Sequence, residues 1–453
     1  MSNCVLLISY MFPPAGGVGV QRALAMARYL PPAGLSVTVL TARHPITHVY
    51  DAALEAQIPP AVRVHRTPAL EPPYALRQRV KRLFGLRQAQ PETAPATASP
   101  AGPPRPASAL RRLAHALVER AVFPDLQDFW ARPALQAAIR IIETEKIDSV
   151  LITVPPFSLL RFAAPLRRRF PALRIVLDFR DEWLQYHLQE LQFDGPVSDW
   201  KRRHAAQLEA AAVAAADHVV TVTPPWRARL RDRYPAQPAA KFVCIPNGYD
   251  PDSFRGFQRR PPPLPPLIVT YLGTLYANPV YSPRPYLEAL DEMPDSWRDR
   301  IETRFIGRVS ADAAPLLAGR RARILQTGFL PQREAFRELE RSHCLLLLVG
   351  TPTVHSGKLF EYLATGIPIL AITPRGGEVE RVLVETRGGW CAAPDDPAAI
   401  GQALREIYDC ASGQPGARPF APDPDSVAAY SRERLTLELA RATGLLDHPT
   451  TGD

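Results

Sequence analysis

The sequence predicts an α/β protein of two Rossmann-like, doubly wound domains. Three observations predict it. Apolar strand-like runs alternate with helical patterns, the alternation stops and restarts once around a Pro-rich crossing, and the chain has 453 residues, about three times a usual domain length. With 46% apolar and 22% charged residues, the composition suits well-filled cores. The 50 prolines cluster rather than spread, which marks long loops and linkers.

The first domain is expected over 1–258. Cys4 to Ser9 is a continuous apolar run, the pattern of a parallel strand covered on both faces. The loop Phe12 to Gly19 follows, then Gln21 to Leu30 at helical spacing, then the β-branched run Ser36 to Thr41. Further on come strand Ser149 to Val154, helix Leu159 to Phe170, strand Arg174 to Asp178, helix Trp200 to Ala216, strand His218 to Val222 and strand Phe242 to Ile245. Residues 88–108, rich in Pro, Ala, Thr and Ser, cannot bury enough surface to offset ordering entropy and are expected to form a mobile excursion.

Residues 259–266, with Pro261 to Pro266, read as a stiff linker. The second domain is expected over 267–424, with strand Ile268 to Leu272, helix Tyr286 to Met293, strands Glu302 to Ile306 and Arg323 to Thr327, helix Arg333 to Ser342, strand Cys344 to Val349, helix Lys358 to Thr365 and strand Ile367 to Ile372. A last helical stretch, Ser426 to Leu446 within 425–453, follows Pro419 to Pro424.

The net charge is +9 and the sequence pI about 9.5, carried by 49 arginines and only five lysines. Zinc-finger spacing, basic-region heptads and aromatic-plus-basic strands are missing, so no nucleic acid partner is expected; small phosphates or an anionic membrane surface remain. Five scattered cysteines suit free thiols in a reducing compartment. The first apolar stretch lacks a basic leader and meets Pro13-Pro14, so it reads as a strand rather than a signal peptide. A cytoplasmic protein is expected. His44 and His48 lie four apart, but the intervening Pro45 argues against a helical metal pair.

Two sites draw the chemistry. Gly16, Gly17 and Gly19 lie between a first strand and a helix, where backbone N–H groups approach an anion. The dinucleotide fingerprint would need a glycine where Arg22 stands and an acid after the second strand where Arg43 stands, so NAD is disfavoured. In the second half, Ser356 reads as an N-cap, Gly366 as the residue past the helix, and Gly357 with Lys358 as a helix start that favours a diphosphate. Glu361, one turn on, suits a ribose diol; a surface Lys–Glu pair is the other reading.

Taken in order, several segments resemble retaining nucleotide-sugar glycosyltransferases of the GT-B architecture, family 4. They are the Pro-Pro-Ala-Gly-Gly-Val-Gly loop, Leu177 to Trp183, Ala216 to Thr223, Ile245 to Asp250, Tyr271 to Tyr276 and Lys358 to Pro368. The resemblance implies two Rossmann-like domains facing across a cleft, the second holding the nucleotide-diphosphate sugar, the first a glycan or lipid-linked acceptor, and the C-terminal helix crossing back to the first. It places Glu361 at the second acid of the Glu-x7-Glu motif and Thr353 where the first acid stands. The family's Arg after Gly273 is replaced by Thr274, leaving Arg284, Arg308 or Lys358 to supply positive charge, with Lys358 ranked first. Phe329 and Leu330 resemble the loop beside the base, with core packing of Phe329 as the other reading. Catalysis is assigned to Lys358, to Asp181 facing the cleft and to Arg180 beside it, with no cofactor and no metal; a local loop network of Arg180 and Asp181 is the other reading. A nucleotide-sugar epimerase on the same fold, or a catalytically silent nucleotide-sugar binder, are the alternatives.

Tyr74 to Arg87 sets Tyr74, Leu76, Val80, Leu83, Phe84 and Leu86 among five basic residues, a basic amphipathic helix. It is read either as a peripheral contact with an anionic membrane, at the inner face of the cell membrane, or as a solvated surface helix.

Overall fold

The computed structural model describes residues 3–47, 50–69, 117–191 and 197–446. The amphipathic segment 74–87, the excursion 88–108 and His48 lie outside them. Contacts divide the described residues into one unit that runs to Asn247 and resumes at Arg432, and a second from Gly248 to Ser431.

The first unit holds a seven-stranded, all-parallel sheet of β1 (Cys4–Ile8), β2 (Ser36–Ala42), β3 (Arg63–Thr67), β4 (Ser149–Val154), β5 (Arg174–Phe179), β6 (His218–Thr221) and β7 (Phe242–Cys244), in the order β3-β2-β1-β4-β5-β6-β7. Side chains alternate between faces as the pleat requires. From β1, Leu6 and Ile8 enter one core with Val150, Ile152 and Trp130, while Val5 and Leu7 enter the other with Val37, Val39 and Leu151. Both faces are covered, which is why these strands are continuously apolar in sequence. Helix α1 (Val18–Tyr29) starts in the glycine loop, α2 (Asp128–Glu145) packs beside β3, and α3 (Ala163–Arg169), α4 (Asp199–Ala215) and α5 (Pro224–Arg233) follow. Apart from the amphipathic helix over 74–87, no element was expected between Thr41 and Ser149; β3 and α2 lie there.

The second unit holds a six-stranded parallel sheet of β8 (Leu267–Leu272), β9 (Ile301–Ile306), β10 (Arg323–Gly328), β11 (Cys344–Leu348), β12 (Ile369–Ile372) and β13 (Gly389–Ala392), ordered β10-β9-β8-β11-β12-β13. Crossover helices include α6 (Arg284–Glu292), α7 (Gln332–Glu340), α8 (Gly357–Ala364), α9 (Glu378–Thr386) and α10 (Pro397–Ser412). The Pro-rich stretch is part of this unit: His343 hydrogen-bonds the Pro262 carbonyl at 2.9 Å and Leu264 packs on the core. Expected as one helix, residues 426–446 form α11 (Pro424–Ala429) and α12 (Arg432–Ala442), the latter laying Leu435 and Leu439 on the first unit's core.

Among the described residues no disulfide joins any of the five cysteines. Among the described residues no helix is long and apolar enough to cross a membrane.

Candidate functional site

The strongest cluster lies in the second unit, where β8 and β9 end and α8 begins. Ser356 caps α8, its hydroxyl accepting the Lys358 N–H at 3.3 Å. Leu359, Phe360, Tyr362 and Leu363 bury one face of the helix and the Tyr362 hydroxyl accepts the Leu272 N–H at 2.8 Å, so the helix start is fixed against the end of β8. Lys358, partly buried, donates from its ammonium to the Tyr271 hydroxyl at 2.7 Å and stands 4.2 Å from the centre of that ring. Desolvation pushes its pKa down to about 8, with Glu361 acting the other way.

Two glycines make room for this arrangement. Gly273 has φ +124°, and a Cβ there would lie 2.6 Å from Lys358 Cε and 2.7 Å from Nζ. Gly307, with φ +129°, would place a Cβ 2.4 Å from the Gly273 carbonyl oxygen. Both strands therefore end in a glycine that lets backbone and lysine close up. Gly273→Ala combines a disfavoured φ with displacement of the ammonium, and is expected to weaken nucleoside diphosphate binding about tenfold by titration calorimetry, the size of one charge-assisted contact.

The other candidates are spread around this unit. Phe329 is 67% exposed with the Arg308 guanidinium 5.6 Å above its ring, so core packing of Phe329 is excluded. Leu330 is half-buried next to it. Arg284 opens α6 on the surface and pairs with Glu288 at 3.5 Å. Thr274 offers its carbonyl to the Tyr271 hydroxyl at 3.0 Å. Thr353 Oγ1 is buried with no hydrogen-bond partner among the described residues.

In the first unit the Leu177 to Trp183 segment sends each of its charges to a different partner. Asp178, fully buried, takes a bidentate pair from Arg22 at 2.8–3.1 Å, and Arg22 also donates to the Pro246 and Ile245 carbonyls. The residue that breaks the dinucleotide fingerprint thus ties α1 to β5 and to the end of β7. Arg180 donates to the carbonyls of Gly19, Pro155 and Val154. Each of its nitrogens is turned to a main-chain oxygen, so Arg180 braces the loops after β1 and β4. Glu182, buried, is held by Arg229 at 2.9 Å and Arg233 at 3.0 Å.

Asp181 is the charge of this segment that stays accessible, its side chain 38% exposed and 3.5 Å from His187 Nε2. Desolvation acts to raise its pKa, but His187 and Arg180 outweigh it and hold the carboxyl below its usual range. His187 is brought there by a π-helix, Trp183–Leu191, whose widened turn is closed by the bond from its N–H to the Glu182 carbonyl. Gly16 is buried, Gly17 caps α1 with φ +90°, and Gly19 accepts from Arg180, so part of the glycine loop serves internal bracing.

Sequence reasoning missed Tyr271, Gly307, Arg22 and His187. A tyrosine inside an apolar strand reads as core. The available signal was the repeat of a glycine directly after β8 and after β9.

Residues 96–253 match the family model described as Glycosyltransferase Family 4. Similar solved structures align along nearly all of the chain. The lipopolysaccharide outer core galactosyltransferase WaaB, in its apo form, is 13% identical over 97% of this chain and 98% of its own, with a TM-score of 0.57. Anabaena HepE in complex with UDP is 13% identical over 98% and 100%, with a TM-score of 0.58. A putative UDP-N-acetylglucosamine 2-epimerase from Listeria monocytogenes is 12% identical over 97% and 95%, at 0.50. These identities establish the fold. No curated protein sequence matches the chain. Residues 96–253 are thus similar to glycosyltransferases of family 4, and the chain is built on the two Rossmann-like units of the GT-B fold.

Proposed function

We propose that the second unit holds a nucleoside-diphosphate sugar at the Gly273–Lys358 cluster, and that the glycosyl group passes to a glycan or lipid-linked acceptor borne by the first unit. The observation that carries this reading is the Lys358 ammonium, lodged against Gly273 at the C-terminal end of β8. Ligands of doubly wound sheets bind at that end. The cation stands beside the strand end after which the family's arginine would follow, and Thr274 does not supply it.

In this reading Lys358 and the first turn of α8 stabilise charge as it develops on the leaving diphosphate. Glu361 receives the ribose diol, and the Phe329 ring, under Arg308, offers the base a stacking face. Transfer proceeds with retention: the bond from the anomeric carbon to the phosphate oxygen breaks, the bond to the acceptor oxygen forms on the same face, and the acceptor's proton passes to the departing phosphate. Asp181, kept ionised, accepts hydrogen bonds from hydroxyls of sugar or acceptor. No cofactor takes part, and the cation that the leaving group requires comes from Lys358.

A thermal-shift screen of UDP-, GDP- and ADP-sugars tests the donor class. A bound sugar nucleotide at 100 times its dissociation constant stabilises the protein by about 2.7 kcal/mol. Silence across the panel overturns the reading. Product analysis with donor alone separates transfer from epimerisation: an epimerised nucleotide sugar formed without acceptor would favour the epimerase, unchanged donor the transferase.

A further inference from the structure

We propose that Tyr271 is a positioning residue for Lys358, setting the lysine ammonium where the donor's diphosphate meets it. This rests on the nucleotide-sugar reading above and deepens it.

The hydrogen-bond polarity defines the arrangement. The Tyr271 hydroxyl proton is directed to the Thr274 carbonyl at 3.0 Å, so the oxygen presents its lone pairs to the Lys358 ammonium at 2.7 Å. A lysine presents three donors on a flexible stem and gains most from a fixed acceptor. The ring adds an attraction of its own, its centroid 4.2 Å from the nitrogen. The neighbouring Tyr362 hydroxyl is occupied by the Leu272 N–H, and among the described residues the charge felt at Lys358 is that of Glu361, from its own helix. Gly273 leaves the space that the lysine end occupies, and Gly307 in turn leaves room for the Gly273 backbone. Tyr271 itself is fixed: its ring is buried against Phe305 and Thr274 anchors its far end. The tyrosine thus pre-organises a cation that would otherwise lose rotamer freedom on binding.

The test is titration calorimetry with UDP, GDP, ADP and inorganic pyrophosphate on the wild type, Tyr271→Phe, Lys358→Met and the double variant. Phenylalanine keeps the ring and removes the lone pairs. Tyr271→Phe is expected to bind the nucleoside diphosphate and pyrophosphate about tenfold more weakly, the size of a hydrogen bond to a charged group. The double variant is expected to bind no more weakly than Lys358→Met, because the tyrosine acts through the lysine. The decline of affinity at alkaline pH is expected to begin at lower pH in Tyr271→Phe, since loss of the acceptor disfavours the charged amine. Wild-type affinity and an unmoved pH midpoint in Tyr271→Phe, or fully additive losses in the double variant, would overturn the inference while leaving the nucleotide site standing. A wild type that binds neither pyrophosphate nor any of the three nucleotides would overturn both.

Discussion

Replacing Lys358 by methionine is expected to lower turnover by roughly 10²–10³-fold, the cost of removing one pre-organised group that stabilises developing negative charge. Methionine keeps the length and apolar bulk of the stem against Tyr271, so packing is largely preserved and the loss reports charge. Binding should also become insensitive to pH. In the free wild type Lys358 titrates near 8, so the ammonium is present below that pH and lost above it. A bound diphosphate favours the charged form. Affinity for a nucleoside diphosphate should therefore stay level from about pH 7 to 8 and then fall toward about tenfold per unit, as one proton must be taken up on binding. Calorimetric titrations from pH 7 to 9 check both statements. A parallel decline in Lys358→Met would assign the titration to another group.

Arg233→Ala should produce the largest loss of stability, about 3–5 kcal/mol, because it removes one partner from a buried ionic network. Arg233 donates to Glu209 at 2.8 Å and to Glu182 at 3.0 Å, and both carboxylates are nearly or fully inaccessible, at 0% and 2%. Tyr234 completes the shell of Glu209 at 2.8 Å. Burial already raises the Glu209 pKa against the pull of Arg233. Without the guanidinium both acids lose a positive neighbour, and the folded-state pKa of Glu209 rises further. A raised carboxyl binds protons in the folded state, so the variant should recover part of its deficit as pH falls from 7 toward 5. Chemical denaturation of wild type and variant at the two pH values reads the effect. An equal deficit at both would show that lost packing, rather than uncompensated charge, causes the damage.

The parallel strands were legible because each is covered on both faces and so reads as an unbroken apolar run, as in β1, β4, β8 and β11. The polar edge strand β3 was not. Its Arg63 and His65 face Glu145 at 3.0 and 2.8 Å, a pairing with a helix about 80 residues away that no local pattern announces. β13 was hidden for another reason. Gly389 lies so close to β12 that a Cβ would be 2.0 Å from the Ile369 oxygen, and a glycine at a strand start weakens the β signal.

Within the site, Ser356, Gly357, Lys358 and Glu361 were legible as a helix start, since capping and helix-end charge are local rules. The contacts that give them their setting were not. Tyr271 lies 87 positions from Lys358, and Arg22 lies 156 from Asp178. The carbonyls of Gly19, Pro155 and Val154 that Arg180 serves were equally hidden, because each lies on another segment of the chain.

The most direct measurement is a crystal structure of the chain grown with whichever of UDP, GDP or ADP gives the largest thermal shift. The account predicts the diphosphate beside Gly273, within hydrogen-bonding distance of Lys358 Nζ, with the base against Phe329. A diphosphate bound on the Gly16 to Gly19 loop, or anywhere else out of reach of Lys358, would contradict it.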